Sequence, residues 1–200
     1  MLDYNNLTSI IKKSPFFKRV IDTLLLRSRV YAEAEIYSSA LWQALLIPFL
    51  IAIIRGFTVT GYNPESVIES YNSINDLWVF LIGVIAQMIV WILWTFGCYF
   101  IGINLLSTSP KHASFGELTR ATGFAQTPNI VILLGLLPFF DLNTMLLIGS
   151  IWWFFAMMVA IRYVLNYESL YNTFFLTLAG FLVVPLILWP GYELILQFLL

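Results

Sequence analysis

The 200-residue chain is 60% apolar and 17% aromatic, with only 10% charged side chains and a formal net charge of -1. Soluble domains carry about 25% charged residues, so this usage excludes a soluble globular domain and describes an integral membrane protein. No basic footprint for nucleic acid is visible, and the single cysteine, Cys98, forbids an intrachain disulfide.

Ser14-Pro15 has the form of an N-cap followed by proline at the first helical position. Downstream, Phe17, Val20, Ile21, Leu24 and Tyr31 share a helical face away from Lys18, Arg19, Asp22 and Arg29. That pattern predicts an N-terminal amphipathic helix, either lying in the cytoplasmic interface or packed on the helical bundle. The first apolar run starts only near Tyr37, and Asp3, Asp22, Glu33 and Glu35 precede it, which fits neither a cleaved secretory signal nor an acid-poor transit peptide.

A hydrocarbon core about 30 Å thick takes about 20 helical residues to cross. Five stretches qualify: Tyr37 to Ile54, Leu77 to Leu106, Leu118 to Phe140, Thr144 to Leu165 and Tyr171 to Trp189. The second would be about 45 Å long and must tilt or project beyond the bilayer. Thr122, Gln126, Pro128 and Asn129 in the first half of the third predict a kink or a break there. Ser114-Phe115-Gly116-Glu117 has capping-box spacing, which starts that helix near Phe115. Asp141 to Asn143 leaves room for a tight hairpin between spans three and four. Trp189-Pro190-Gly191 ends the fifth, with Tyr192 to Leu200 expected along the outer interface.

Nine of the ten basic residues fall in alternate gaps: Lys12, Lys13, Lys18, Arg19, Arg27 and Arg29 before the first span, Lys111 and Arg120 between the second and third, Arg162 at the end of the fourth. Cytoplasmic loops carry the excess of Lys and Arg. The expected architecture is an all-α polytopic membrane helical bundle of five transmembrane helices, N-terminus cytoplasmic and C-terminus outside or lumenal. Residues 1 to 36 form its cytoplasmic N-terminal segment and residues 37 to 200 its membrane domain. Only Arg55 falls in a gap of the opposite set.

One histidine, His112, and no H-E-x-x-H, G-x-S-x-G or cysteine cluster leave no motif for catalysis. No catalytic, cofactor-binding or metal-binding residue is therefore expected. Asp76, Glu117, Asp141, Glu168 and Glu193 stand at segment ends, where water solvates them. Arg162 reads as an interfacial anchor with Tyr163 and Tyr167, with pairing to Glu117 or a lipid phosphate as the alternative. Gln43, Gln87, Asn104, Gln126 and Asn129 either bond between helices or line a pathway. Ala121 with Ala125, and Ala156 with Ala160, have the spacing that admits close helix approach. Trp91, Trp94, Trp152 and Trp153 fall mid-span, where they pack the bundle or frame a groove for a lipid tail.

The stretch Phe115 to Pro128 contains an aromatic, Glu117-Leu118, Arg120-Ala121, Gly123-Phe124-Ala125, then Gln126 and Pro128. It resembles the signature of the Yip-domain family, named for Ypt/Rab-interacting proteins, whose third membrane helix is entered by these steps. Phe100-Ile101-Gly102 and the stretch from Trp153 to Arg162-Tyr163-Val164-Leu165 resemble its prokaryotic branch, so the likeness runs over residues 15 to 190. The resemblance implies interaction candidates at Phe115, Glu117, Leu118, Arg120, Gly123, Phe124, Ala125, Gln126, Pro128 and Arg162. In these roles Glu117 completes the cap, Arg120 faces the cytoplasmic interface, Gly123 admits a neighbouring helix and Pro128 bends the span. For eukaryotic members the resemblance implies binding of Rab GTPases; those members carry an Asp-Leu-Tyr-Gly-Pro element in a longer cytoplasmic N-terminal region, no such run precedes Tyr37 here, and Rab binding does not carry over.

The expected function is a non-enzymatic adaptor, scaffold or assembly factor of a membrane complex or of membrane trafficking. Its partners would be membrane lipids and a protein partner or second copy, with no nucleic acid. The alternative is a transporter-associated or lipid-handling subunit holding its substrate between the bent third span and the aromatics of spans two and four. An intramembrane enzyme would require Arg162, Glu117 and Glu168 to converge on a buried polar cavity. The membrane would be the plasma (inner) membrane in a prokaryote, or the endoplasmic reticulum or Golgi in a eukaryote.

Overall fold

The computed structural model describes residues 14–59, 74–104 and 113–181. Among them every regular element is helical: α1 (Phe16–Leu24), α2 (Arg29–Ile36), α3 (Leu41–Val59) behind a 3-10 turn at Ser38–Ala40, and α4 (Ile74–Asn104). There follow α5 (Phe115–Ala125), a 3-10 helix over Thr127–Leu136, α6 (Leu142–Val164), and α7 described over Leu170–Phe181. Three stretches are long and apolar enough to cross a membrane: Ser38–Gly56, Phe80–Asn104 and Leu142–Val164. The expected Lys111 and His112 loop and the outer C-terminal segment lie outside the described residues.

The outward faces are apolar, with Ile82, Ile85, Ile89, Ile92 and Phe96 exposed on α4 and Leu147, Ile148, Ile151 and Phe155 on α6. Such continuous apolar surface suits lipid and not water. Inside, α3 pairs with α4, while α6 pairs with the 3-10 helix, and α5 packs on α2, α3 and α6.

The segment expected as the third span is broken. α5 ends at Ala125 and the chain continues as ten residues of 3-10 helix with Pro128 at its second position. Proline has no N–H for the Phe124 carbonyl four residues back, and the Thr127 hydroxyl donates to that oxygen at 2.6 Å. Long 3-10 runs are uncommon because their side chains eclipse every three residues; here that spacing stacks Asn129, Ile132 and Gly135 in one buried row. The row packs closely on α6. A Cβ on Gly149 would meet Val131 and Ile132, and one on Gly135 would meet the Leu142 Cα at 2.9 Å. Asp141 then caps α6, its Oδ2 accepting from the Thr144 N–H at 2.7 Å and hydroxyl at 2.8 Å. Since the 3-10 helix stops at Leu136, the hairpin starts earlier than hydropathy indicates.

The N-terminal amphipathic segment is two helices and not one. Leu26, at φ 54, reverses the chain in the left-handed region, and the Leu26 and Arg27 N–H groups close the turn on the Thr23 and Asp22 carbonyls at 2.9 and 2.8 Å. Tyr31 therefore belongs to α2, where it is fully buried and donates to the Ala156 carbonyl of α6 at 3.1 Å. The face α1 turns inward is the polar one, with Arg19, Asp22 and Thr23 buried and Phe17, Ile21 and Leu25 exposed. So α1 packs on the bundle, the second of the two expectations, and offers an apolar stripe outward.

An ion cluster makes the inverted packing tolerable. Glu33 Oε2 accepts from Arg19 Nε at 2.9 Å and from the Ser14 N–H at 3.0 Å; Oε1 accepts from the Ser14 hydroxyl at 2.7 Å and from Arg29 at 3.4 Å. Arg19 Nη1 continues to Gln43 Oε1 at 2.6 Å, and its guanidinium carbon lies 5.9 Å from the centre of the Phe124 ring. Ser14 is thus spent on a buried carboxylate and makes no side-chain cap for α1, contrary to its sequence reading, because a desolvated charge needs its hydrogen bonds more than an exposed helix end does.

Candidate functional site

The signature residues of α5 are placed individually. Ser114 and Glu117 form the reciprocal capping box, at 3.2 and 3.1 Å. Phe115 meets Tyr99 and Phe96 edge-on at 5.6 and 6.1 Å. Leu118, Ala121, Phe124 and Ala125 are fully buried, and Thr122 shares a hydroxyl contact with Thr95 of α4 at 3.1 Å. Arg120 does not stop at the interface: its Nε and Nη2 donate to the Ala34 and Glu35 carbonyls at the end of α2. Charge-assisted bonds of this kind contribute about 1.5–3 kcal/mol, so Arg120→Ala is expected to lower stability by that amount and to loosen α2, read as protease sensitivity between α1 and α3.

Gly123 faces the backbone of Ala44, whose carbonyl oxygen occupies the place a Cβ would take. Pro48 lies four residues beyond Ala44 within α3 and brings no N–H to that carbonyl. The two departures from regular sequence therefore meet at one point, where the bare glycine fits the oxygen that proline leaves without its helical donor.

Arg162, in the last turn of α6, holds the segment that follows the helix, donating to the Tyr167 and Glu168 carbonyls at 3.3 Å each. Its neighbour Tyr167 donates to the Gly102 carbonyl of α4 at 2.6 Å. Among the described residues no ion pair joins Arg162 to Glu117 or Glu168, and Arg162 and Glu168 are exposed. Cys98 is a buried packing residue, its thiol 3.7 Å from the Leu176 carbonyl.

A cavity of about 270 Å³ opens between the α3–α4 pair and the pair formed by α6 and the broken span. Its walls are Arg55 of α3, Gln87, Val90, Trp91 and Trp94 of α4, Gln126 and Asn129 at the break, Ser150 and Trp153 of α6, and Phe181 of α7. α3, α4, α6, α7 and the break all contribute. Trp94 and Trp153 lie 5.9 Å apart across the space, and Trp153 meets Phe181 at 5.0 Å. Trp152, by contrast, turns away and donates to the Leu24 carbonyl at 3.0 Å.

Arg55 is the residue sequence reasoning missed. Hydropathy ends the first span at Ile54 and leaves Arg55 in a loop, but α3 runs on to Val59 and keeps Arg55 inside the helix, about 20 Å from its Leu41 end. From there Nη2 donates to Asn129 Oδ1 at 3.1 Å, and Asn129 Nδ2 donates to Gln126 Oε1 at 3.0 Å. Both amide oxygens are thereby engaged within the protein. The signal was present in the sequence as the single exception to the charge asymmetry.

The family model for the Yip1 domain matches residues 21–190. No curated protein matches the chain, and no solved structure matches it. With the match running from within α1 through α7, the chain belongs to the Yip1 domain family and is an integral membrane protein.

Proposed function

We propose that this Yip1 domain protein is a non-enzymatic, lipid-handling membrane subunit that holds a small amphiphile within its bundle. It crosses the bilayer five times, the third time by way of α5 and the 3-10 helix and the fifth by α7, with its N-terminus in the cytoplasm. The observation that carries the reading is the cavity walled by all of these segments. Its size lies just below the 300–1,000 Å³ typical of small-molecule sites, which suits a headgroup and the start of a chain rather than a whole two-chain lipid. Breaks in membrane helices commonly place polar groups at such depth, and Gln126 and Asn129 stand at this one.

The adaptor or assembly reading draws on family membership and on the exposed Phe17, Ile21 and Leu25 stripe, a surface that lipid covers equally well. It is the second reading, and the two are compatible in one molecule.

Native mass spectrometry of protein extracted in mild detergent tests the proposal. Bound amphiphile is expected on the wild type and is expected to be lost from Ser150→Phe, which fills the cavity from α6 while the fold is retained. Persistence of the same adduct in that variant, or a wild type without adduct after extraction and after incubation with lipid, overturns the reading.

A further inference from the structure

We propose that α1 and α2 form a lipid-embedded hairpin on the outside of the bundle, at the Arg162 end of α6. The outward stripe of α1, Phe17, Ile21 and Leu25, lies among acyl chains, and the exposed Lys18, Arg27 and Arg29 meet the phosphates of anionic lipids. Neither helix contributes to the cavity wall.

The direction in which α1 packs is the first observation. A surface helix in water turns its apolar face to the core and its charges to the solvent. α1 does the reverse, with Phe17 77%, Ile21 54% and Leu25 55% exposed while Arg19, Asp22 and Thr23 are buried. Its polar side chains bond inward: Arg19 to Glu33 and Gln43, and the Thr23 hydroxyl to the Arg19 carbonyl at 2.9 Å. Polar groups satisfied within the protein beneath an apolar outer face are what a lipid environment requires.

Two hydrogen bonds set the level of the hairpin along α6. Trp152, which donates to the Leu24 carbonyl, stands about 15 Å from the Leu142 end of α6 and about 18 Å from its Val164 end. Ala156, whose carbonyl receives the Tyr31 hydroxyl, stands about 12 Å from the Val164 end. α6 is long and apolar enough to cross a membrane, and a hydrocarbon core is about 30 Å thick. Both contacts therefore fall within the bilayer that α6 crosses. At the same level α6 exposes Ile148, Ile151 and Phe155, so the stripe of α1 continues an apolar surface already facing lipid.

Charge identifies the lipid. The exposed charged side chains of α1, α2 and the turn between them are Lys18, Arg27 and Arg29, all cations, while Asp22 and Glu33 are buried. Arg27 and Arg29 each give one bond to a buried carboxylate, at 3.0 and 3.4 Å, and remain 62% and 50% exposed. Long basic side chains run along apolar surface and carry their charge to the headgroups, and an apolar stripe beside cations binds anionic membranes. A second copy meeting itself across this stripe would set the same cations against one another.

The test uses the full chain in lipid nanodiscs, with Cys98→Ser as background and a single nitroxide at Ile21→Cys or Leu25→Cys. Collision with oxygen is expected to exceed collision with a water-soluble nickel chelate as strongly as at Ile92→Cys on the lipid face of α4, and several-fold more than at the exposed Glu168→Cys. A bimane at Ile21→Cys is then expected to be quenched by brominated phosphatidylglycerol at several-fold lower mole fraction than by brominated phosphatidylcholine. Combining Lys18→Gln, Arg27→Gln and Arg29→Gln is expected to abolish that preference. Lys18→Gln alone, which disturbs no ion pair among the described residues, is expected to reduce it and stands in should the triple variant fail to fold. Nickel access at Ile21 and Leu25 equal to that at Glu168 would put the stripe in water and overturn the proposal. Protection of these sites from both reagents would put a protein partner there and overturn it equally. Quenching without headgroup preference, or a preference that survives loss of the cations, overturns the assignment to anionic lipid.

Discussion

Gly123→Ala is expected to be among the most destabilising single-methyl additions in this protein, whereas Gly116→Ala, on the same helix, is expected to be neutral or stabilising. At Gly123 the added carbon meets a backbone carbonyl, that of Ala44, with the Ala44 carbonyl carbon at 2.9 Å and its Cβ at 3.1 Å. No rotamer change relieves a clash with backbone, so α3 and α5 must move apart. That separation would also disturb buried neighbours such as Phe124 and Ala125. Overpacking costs about 1–3 kcal/mol when side chains can adjust, and the expected loss lies at or above the top of that range. At Gly116 the nearest atom is Arg120 Nη1 at 3.5 Å, an ordinary contact with a flexible side chain. There the helix gains up to about 1 kcal/mol from alanine's better propensity. Denaturation by graded detergent would show the pair diverging in opposite directions; similar midpoints for both variants would mean that α3 and α5 are not in this close contact.

The second large effect is expected at Glu33. Its carboxylate is 1% exposed and receives hydrogen bonds from Ser14, Arg19 and Arg29. Removing one member of a buried ion pair typically costs about 3–5 kcal/mol, because the other charge is left without compensation. Glu33→Ala would strand Arg19, itself 1% exposed and already with one unpartnered nitrogen among the described residues. The expected result is release of α1 and α2 from the bundle, visible as rapid proteolysis near Leu25 with the membrane helices intact. Replacing both charges, as Arg19→Met with Glu33→Leu, is expected to recover much of the loss.

Glu33 also sets a pH dependence. Burial alone would push its carboxyl up, but the hydrogen bonds from the Ser14 hydroxyl and N–H and from Arg19, with the Arg19 charge, outweigh that and hold it below the usual carboxylate value. A carboxyl lowered on folding stabilises the protein above its unfolded value of about 4.3, and this contribution disappears as the pH falls through the lower folded value. Docking of α1 and α2 is thus expected to weaken below about pH 4 in wild type, with a smaller acid response in Glu33→Gln, measurable as tryptophan fluorescence through the contact of Trp152 with Leu24.

The sequence by itself determined the membrane class, the helical content, the start of α5 at a capping box and a kink or break near Pro128, of which the structure shows the break. Each is a local property: apolar run length, a four-residue capping pattern, a missing N–H. The family signature was legible for the same reason, since its residues sit within one continuous stretch that the Yip1 domain match contains. Tertiary structure alone decided where the charges went. Arg19 and Asp22 read as a solvated face yet are buried, because Glu33, Gln43 and Arg27 come from other turns and other helices to meet them. Arg55 read as a loop residue in the gap after the first span yet lines a cavity, because Asn129, 74 positions away, turns toward it where proline ends the α-helix. Hydropathy follows each residue's own transfer energy, whereas the energy of a charge in a bundle depends on partners that only folding brings within reach.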